Sequence, residues 1–387
     1  MSGIYLDHNA TTPVRPEVRD RMLPFFGELF GNPSSAHGFG QVIKPHLEEA
    51  RNRVAGQLGA SPAQVVFTSG GTESDNAAIK GVAFAAEKGH IVTSVIEHPA
   101  VMQSVSWLVK KGFEATYVPV GSDGIVDPGE VKKAIRPDTI LVSIMHVNNE
   151  VGTVQPIEEI SSVTRQAGVL FHSDAVQSFG KLATKVDDLG VDLLSMAGHK
   201  IYGPKGVGAL YVRKGTRIDP LIIGGHQEKR RRSGTENIAG IVGFGEAAVL
   251  AEAEREKVYG RLAGLRKKLV DGLTSSIPEI TINGDLTRAF PSTVSASVGH
   301  VEGESMLLSL DMEGIAVSTG SACSSGSLEP SHVLVAMGIQ TVLAQGTLRF
   351  SMGRGTTEEE IDQLLEVFPG IVERLRRMSP LSASRAC

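Results

Sequence analysis

The sequence predicts an α/β protein with a mostly parallel sheet in a large domain, joined to a smaller α+β domain. Three observations predict it. From Val65 to Val212, short apolar runs of strand length alternate with longer segments of helical spacing. Those runs repeatedly end in polar clusters, and in parallel sheets ligands gather at the carboxyl ends of strands. The 387 residues are 41% hydrophobic, ample for one large domain and a smaller one.

Bulk chemistry narrows the function. The formal net charge of -5 points away from nucleic acid as a partner. Only two cysteines occur, Cys323 and Cys387, which excludes a disulfide framework and suits a reducing compartment. No apolar run reaches the roughly 20 residues of a membrane helix. No charged leader precedes Ile4-Tyr5-Leu6-Asp7. The expectation is a cytoplasmic protein without a membrane partner. No Cys-x-x-Cys or His-Glu-x-x-His occurs and the eleven histidines are scattered, so no fixed metal is expected.

The first elements follow from local chemistry. Tyr5-Leu6-Asp7-His8-Asn9-Ala10-Thr11-Thr12-Pro13 reads as a short strand and a polar turn, and the residues from Gly31 to Gly38 as a loop. From Gly40 to Leu58 apolar residues recur at helical spacing until Gly59 stops them. Val65-Val66-Phe67-Thr68 is a buried-type strand that enters Ser69-Gly70-Gly71-Thr72-Glu73-Ser74, where a helix begins. A Gly-rich turn at a helix start offers free N–H groups and the positive end of the dipole, which suits a phosphate. The same turn reads equally well as an ordinary capped strand-to-helix junction. It is not a Walker loop, because no Gly-Lys-Ser/Thr follows.

The next strand, from Ile91 to Val95, leads to Glu97-His98-Pro99 and a helix ending near Lys111-Gly112. His98 at a strand end could stack on a flat cofactor, although a loop histidine is more often solvated. Strands from Ala115 to Val120 and from Ile140 to Met145 flank another helix, and His146-Val147-Asn148-Asn149-Glu150 follows. Pro156 starts a helix that runs to Ala167. Strands from Val169 to Ser173 and from Val191 to Met196 then deliver Asp174 and Gln177, and His199 and Lys200. A carboxylate and a lysine at neighbouring strand ends are the two groups a pyridoxal phosphate site needs. The lysine attaches the cofactor, and the acid keeps the ring nitrogen protonated so that the ring accepts electrons. A strand from Gly206 to Val212 closes the series of parallel crossovers.

The basic run Lys229-Arg230-Arg231-Arg232 reads as a solvated or anion-contacting loop. A charged helix from Glu236 to about Leu273, Ala- and Glu-rich after Ala247, connects to the second domain. There, short strands run from Thr281 to Asn283, Thr293 to Val298 and Thr347 to Met352, with helices near Glu304 to Asp311 and Glu358 to Met378. Cys323 sits in Ser318-Thr319-Gly320-Ser321-Ala322-Cys323-Ser324-Ser325-Gly326-Ser327. A structural cysteine normally sits among large apolar residues, so glycine and serine neighbours favour a reactive thiol in a mobile loop. Arg349 lies inside a strand, where a charge needs a partner. A carboxylate suits its fork, from the protein or from a substrate. Cys387, at the end of the sequence, reads as a bystander.

These residues together resemble the cysteine desulfurases of the NifS/IscS type, class V aminotransferase relatives among the fold type I pyridoxal phosphate enzymes. The resemblance rests on Ala10-Thr11-Thr12-Pro13, Gly31-Asn32-Pro33-Ser34-Ser35, Thr68 through Ser74, Asn148-Asn149-Glu150-Val151-Gly152, His172 through Gln177, Gly198-His199-Lys200, Arg232-Ser233-Gly234-Thr235 and Gly320-Ser321-Ala322-Cys323. The long cysteine loop and Leu328-Glu329-Pro330-Ser331-His332 are similar to the first of the family's two groups, with the nitrogen-fixation branch most similar.

The resemblance implies a seven-stranded, mostly parallel sheet. It implies a large cofactor-binding domain over 13–255 and a small domain from 1–12 and 256–387 that carries the catalytic loop at about 318–330. Lys200 is implied as the covalent attachment point of pyridoxal 5'-phosphate, His98 as the ring-stacking residue, Asp174 as the partner of the ring nitrogen and Gln177 as donor to the phenolic oxygen. Gly71, Thr72 and His199 are implied as the phosphate cradle, with Thr235 reaching the phosphate of a neighbouring subunit in a homodimer. Asn149 and Arg349 would hold L-cysteine, Arg349 by its carboxylate. Cys323 would take the sulfur as a persulfide for iron–sulfur assembly, leaving L-alanine, and pass it to a scaffold or other acceptor protein, where it could serve as a transient iron–sulfur ligand. A selenocysteine lyase or an aminotransferase of the same fold is the alternative. A free thiol has a pKa of about 8.5, so Cys323 needs activation, by His98 or by the thiolate of the substrate. One position departs from the family: Ala197 stands where many relatives carry a phosphate-binding serine, so that hydrogen bond is missing or comes from Ser195 or water.

Overall fold

The computed structural model describes residues 3–320 and 330–378. Cys323 and Cys387 therefore lie outside the described residues. The strands are β1 Ile4–Tyr5, β2 Val65–Thr68, β3 His90–Ser94, β4 Glu114–Val118, β5 Thr139–Ser143, β6 Leu170–Asp174, β7 Leu193–Ala197 and β8 Gly208–Val212. They continue with β9 Ile280–Ile282, β10 Thr293–Val298, β11 Ile315–Ala316, β12 Ser318–Thr319 and β13 Thr347–Ser351.

Seven strands form one sheet in the order β2-β8-β7-β6-β5-β3-β4. β2, β3, β7 and β8 are buried along their whole length, which is why their sequences are largely apolar runs without alternation. All neighbours are parallel except those of β8, which runs antiparallel to both β7 and β2. The expected closing strand is present, but its direction is reversed. The connection from Lys200 to Gly208 is too short for a parallel crossover, which takes a dozen or more residues. β4 lies on one side of β3 and β5 on the other, so the winding reverses at β3. The carboxyl ends there form the crevice where ligands bind in open sheets.

Four antiparallel strands, β12-β13-β10-β9, form a second sheet, and β1 pairs in parallel with β11 beside it. The start of the chain is thereby tied to residues more than three hundred positions later. Its Leu6 packs in the same core as Val294, Leu348 and Phe350.

A helix spanning Ile238–Ser276 joins the two cores. Its Ile241, Phe244, Ala247 and Ala248 pack under the large sheet, and its Leu262, Leu265, Leu269 and Leu273 pack under the small one. It begins with the Asn237 side chain accepting from the Gly240 N–H, close to the start at Glu236 that the sequence predicts. Among the described residues, no helix is long and apolar enough to cross a membrane.

Candidate active site

The carboxyl ends of β3, β5, β6 and β7 bring the polar clusters together. β6 ends on Asp174, which registers with Ser195 on β7, and the short turn Gly198–Lys200 follows β7 directly. His98 lies just past β3 and caps the helix Pro99–Val109, its Nδ1 accepting from the Ala100 N–H at 3.1 Å. That bond leaves the proton of the neutral ring on Nε2. His98, Asp174 and Lys200 perturb one another. Burial raises the pKa of Asp174, and the His98 and Lys200 charges oppose it. Burial lowers the pKa of His98, Asp174 opposes this, and Lys200 and His332 add to it.

Asn9 is the hub of the site. Its carbonyl oxygen accepts from Lys200 Nζ at 2.5 Å and from Gln177 Nε2 at 2.9 Å. Its side-chain Nδ2 donates to the carbonyl of Asn149 at 3.1 Å and to Thr293 Oγ1 at 2.8 Å. Arg349 Nη1 donates to that same Asn149 carbonyl at 3.0 Å, and Nη2 donates to Asp7 Oδ1 at 2.8 Å. Lys200, Gln177, Asn149 and Arg349 are thus members of one network, drawn from both sheets. The open question over the partner of Arg349 has a protein answer here: Asp7. Asn9 is absent from the sequence-derived candidates. Its signal was available in the polar cluster Asp7-His8-Asn9 after a short strand, the signature that marks the other site segments.

The turn before the helix Gly71–Ala86 has the shape an anion needs. Gly70 has φ 154°, where a side chain is strained. A Cβ at Gly71 would lie 2.6 Å from Val176 Cγ2, so the helix start is pressed against the end of β6. Thr72 lines the same cleft as His98. His199 Nδ1 lies 3.1 Å from Thr11 Oγ1, and burial, with Lys200, Lys205 and Lys181 nearby, lowers its pKa to about 4. A neutral His199 keeps one ring N–H to donate. The basic run is anion-contacting in part: Arg232 Nε donates to Glu73 Oε1 at 2.8 Å and offsets the one acid in the first turn of the helix. Thr235 is exposed and lies outside the linings of the clefts that hold Thr72, His98 and Lys200.

Beneath the floor runs a buried polar row. Ser143 Oγ lies 2.8 Å from His172 Nδ1, and His172 Nε2 lies 2.9 Å from Ser195 Oγ. Ser195 also hydrogen-bonds Asp75. The Ser195 hydroxyl is therefore engaged inside the protein and does not replace the hydroxyl missing at the buried Ala197. Asp75, also absent from the sequence-derived candidates, has its pKa raised by burial and then by Asp174.

The segment that carries Cys323 is bracketed by the site. Before it, Ser318 registers with Arg349 across β12 and β13. After it, Ser331 Oγ donates to Glu150 Oε2, and His332 Nε2 lies 3.0 Å from the Glu97 carbonyl.

The assembled groups suit a flat, nitrogenous ring bearing a phosphate: an acid on one side, a lysine beside it and a helix start with Thr72. The comparisons agree with that chemistry. Residues 4–364 match the family described as aminotransferase class-V. The curated cysteine desulfurase IscS of Dictyoglomus turgidum is 53% identical over 379 residues, 97% of this chain and 96% of that protein. A solved NifS-like protein aligns with a TM-score of 0.91 at 42% identity, covering 96% of this chain and 100% of that one. A structure described as SspA in complex with cysteine aligns with a TM-score of 0.81 at 39% identity, covering 90% and 98%.

Proposed function

Because the chain belongs to the aminotransferase class-V family and, within it, to the cysteine desulfurases, we propose that its strand-end cluster holds pyridoxal phosphate on Lys200 and passes the sulfur of L-cysteine to Cys323. The chain is an enzyme with the fold of the type I pyridoxal phosphate proteins. The observation that carries the residue assignment is the network through Asn9, which links Lys200 and Gln177 to Asn149 and Arg349.

The residues fit the cofactor. The buried Asp174 carboxyl, with one oxygen accepting from the Val176 N–H, needs a cation to stay ionised, and a protonated ring nitrogen supplies one. Gly71, Thr72 and His199 would take the phosphate, His98 would cover the ring and Gln177 Nε2 would reach the phenolic oxygen. When bound, the cofactor supplies the electron sink that makes loss of a proton from the substrate Cα feasible.

The protein does the rest. Arg349 and Asn149 hold the substrate's carboxylate and set its Cα beside Lys200. The Lys200 amine would take the proton from the substrate Cα and hold it beside the reacting atoms. His98, kept neutral by burial, takes the thiol proton of Cys323 on Nδ1 once that nitrogen gives up the Ala100 N–H. The Cys323 thiolate attacks the substrate sulfur. An S–S bond forms, the C–S bond breaks, and its electron pair stays with the carbon skeleton, which is protonated to alanine. Cys323 then carries the persulfide to an acceptor, an iron–sulfur scaffold or another sulfur-receiving protein.

Two copies of the chain complete the site in this reading, with Thr235 of one reaching the phosphate held by the other. The exposed Phe26, Phe30 and Phe39 support a partner surface. The domain division at 13–255 and at 1–12 with 256–387 gives the cofactor to one unit and Arg349 and Cys323 to the other. A reduced Cys323 suits a cytoplasmic setting.

The test is incubation with L-cysteine while alanine, sulfide and the mass of the Cys323 peptide are followed together. One sulfur gained on Cys323 per alanine formed, and loss of both with Cys323→Ser while the cofactor stays bound, is the expected result. Full alanine formation by Cys323→Ser would replace the proposal with a lyase.

A further inference from the structure

The amide of Gln177 is two-faced. To serve a phenolic oxygen it must present Nε2, yet a half-turn about its last bond would present Oε1 instead, which repels an oxygen. One residue outside the family-derived set selects the face. Lys181 Nζ donates to Gln177 Oε1 at 3.1 Å, while Gln177 Nε2 points to the Asn9 carbonyl at 2.9 Å, where Lys200 Nζ also converges. An ammonium has three donors and no acceptor, so only Oε1 can face it. We propose that Lys181 is a positioning residue that locks the Gln177 amide with its donor face toward the cofactor's phenolic oxygen.

The surroundings favour this role over a surface lysine. Lys181 sits four residues past Gln177 and lines, with Lys200, a cavity of about 60 Å³ between the two cores. The charged or titratable groups facing that cavity besides Lys181 are His8, Arg15, Lys200, Glu254, Arg255, Arg354 and the phenols of Tyr202 and Tyr259. Glu254, the one carboxylate among them, is held by Arg15 and Arg354, at 3.0 Å from each. Gln177 Oε1 is thus the acceptor Lys181 has at hand. Burial, with Lys200 nearby, lowers its pKa to about 7, and it is the ammonium form that selects Oε1, because a neutral amine also has a lone pair that can accept.

The inference rests on the pyridoxal phosphate reading, and the experiment separates the two. The pH midpoint of the bound cofactor's visible absorbance change is measured for the wild type, Lys181→Met, Lys181→Arg, Gln177→Ala and Gln177→Ala with Lys181→Met. No visible band in the wild type would defeat the cofactor reading itself. With the band present, Lys181→Met raises the midpoint, because the phenolic oxygen loses its donor. The rise largely disappears in the Gln177→Ala background, and Lys181→Arg, which keeps a donor, stays near wild type. An unchanged midpoint in Lys181→Met, or an equal rise with and without Gln177, overturns the proposal, the second outcome making Lys181 a through-space charge. Should Lys181→Met fail to fold by its thermal midpoint, Lys181→Arg decides: a wild-type midpoint supports the lock and a raised one overturns it.

Discussion

Arg349 and Asp7 are ion-paired at 2.8 Å, so the cation proposed to take the substrate's carboxylate already holds one. The Arg349 side chain is 2% exposed, and its Nε is buried without a hydrogen-bond partner. Nη1 is on the Asn149 carbonyl, Nη2 is on Asp7 and Nε alone is unused, so a substrate carboxylate has to share the fork with Asp7. Arg349→Lys loses the planar fork. A charged hydrogen bond is worth about 1.5–3 kcal/mol, so KM for L-cysteine rises by roughly 10- to 100-fold while kcat changes less. Steady-state alanine formation measures both. Asp7→Asn leaves a buried guanidinium short of its counter-charge, which lowers the thermal midpoint. Added L-cysteine restores more of that midpoint in Asp7→Asn than in the wild type, and equal restoration would argue against a shared fork.

His98 titrates low because its ring is buried, with Lys200 and His332 reinforcing the effect and Asp174 opposing it. The acid limb of persulfide formation therefore lies below the ordinary histidine value of 6.5. His98→Ala removes that limb and slows transfer by about 10²- to 10⁴-fold, the usual worth of a placed proton acceptor. Single-turnover mass spectrometry of Cys323 across pH reads it, and an unchanged rate would dismiss His98 as the base.

The buried Glu97 carboxyl is pushed up to about 8 by burial, against its hydrogen bonds from Ser94 and Met145. Its folded value exceeds its unfolded one of 4.5, so the folded state binds the proton more tightly. The stability this gives is fully present below about pH 4.5 and is lost as pH rises through about 8. Glu150, raised by burial to about 7, acts in the same sense. Thermal midpoints on either side of pH 8 should fall with rising pH in the wild type and fall less in Glu97→Gln. An identical slope in both would place the titration elsewhere.

Ala197→Ser places a hydroxyl at the end of β7, where the Ser195 hydroxyl is turned to His172. One hydrogen bond to a charged phosphate is worth about 1.5–3 kcal/mol, so cofactor dissociation slows by roughly 10- to 100-fold. Dialysis followed by the remaining absorbance measures it. No change would mean that the phosphate does not approach this position.

The legible and illegible parts of the site differ in kind. Asp174, His199, Lys200 and His98 could be read because each is an unusual side chain at the end of an apolar strand. The polar cluster marked the position of Asn9 but not its role, because its bonds to Lys200 and Gln177 are made by a carbonyl oxygen, which every residue carries. Lys181 was hidden in the same way: its meaning lies in which end of another amide it faces. The direction of β8 was illegible because an apolar run has no polarity along its axis. Ser195 looked free until the fold set it against His172 and Asp75. Cys323 could be judged only by its neighbours in the sequence.

The pairing of β1 with β11, and of Asp7 with Arg349, also bears on how the protein is made. A chain leaving the ribosome has Asn9 and Lys200 long before it has Arg349. Until residue 316 emerges the first strand lacks its partner β11, and until residue 351 emerges Asp7 lacks its bridge to Ser351. Arg349 is made after the segment that carries Cys323, so the proposed carboxylate clamp can close only when synthesis is almost complete.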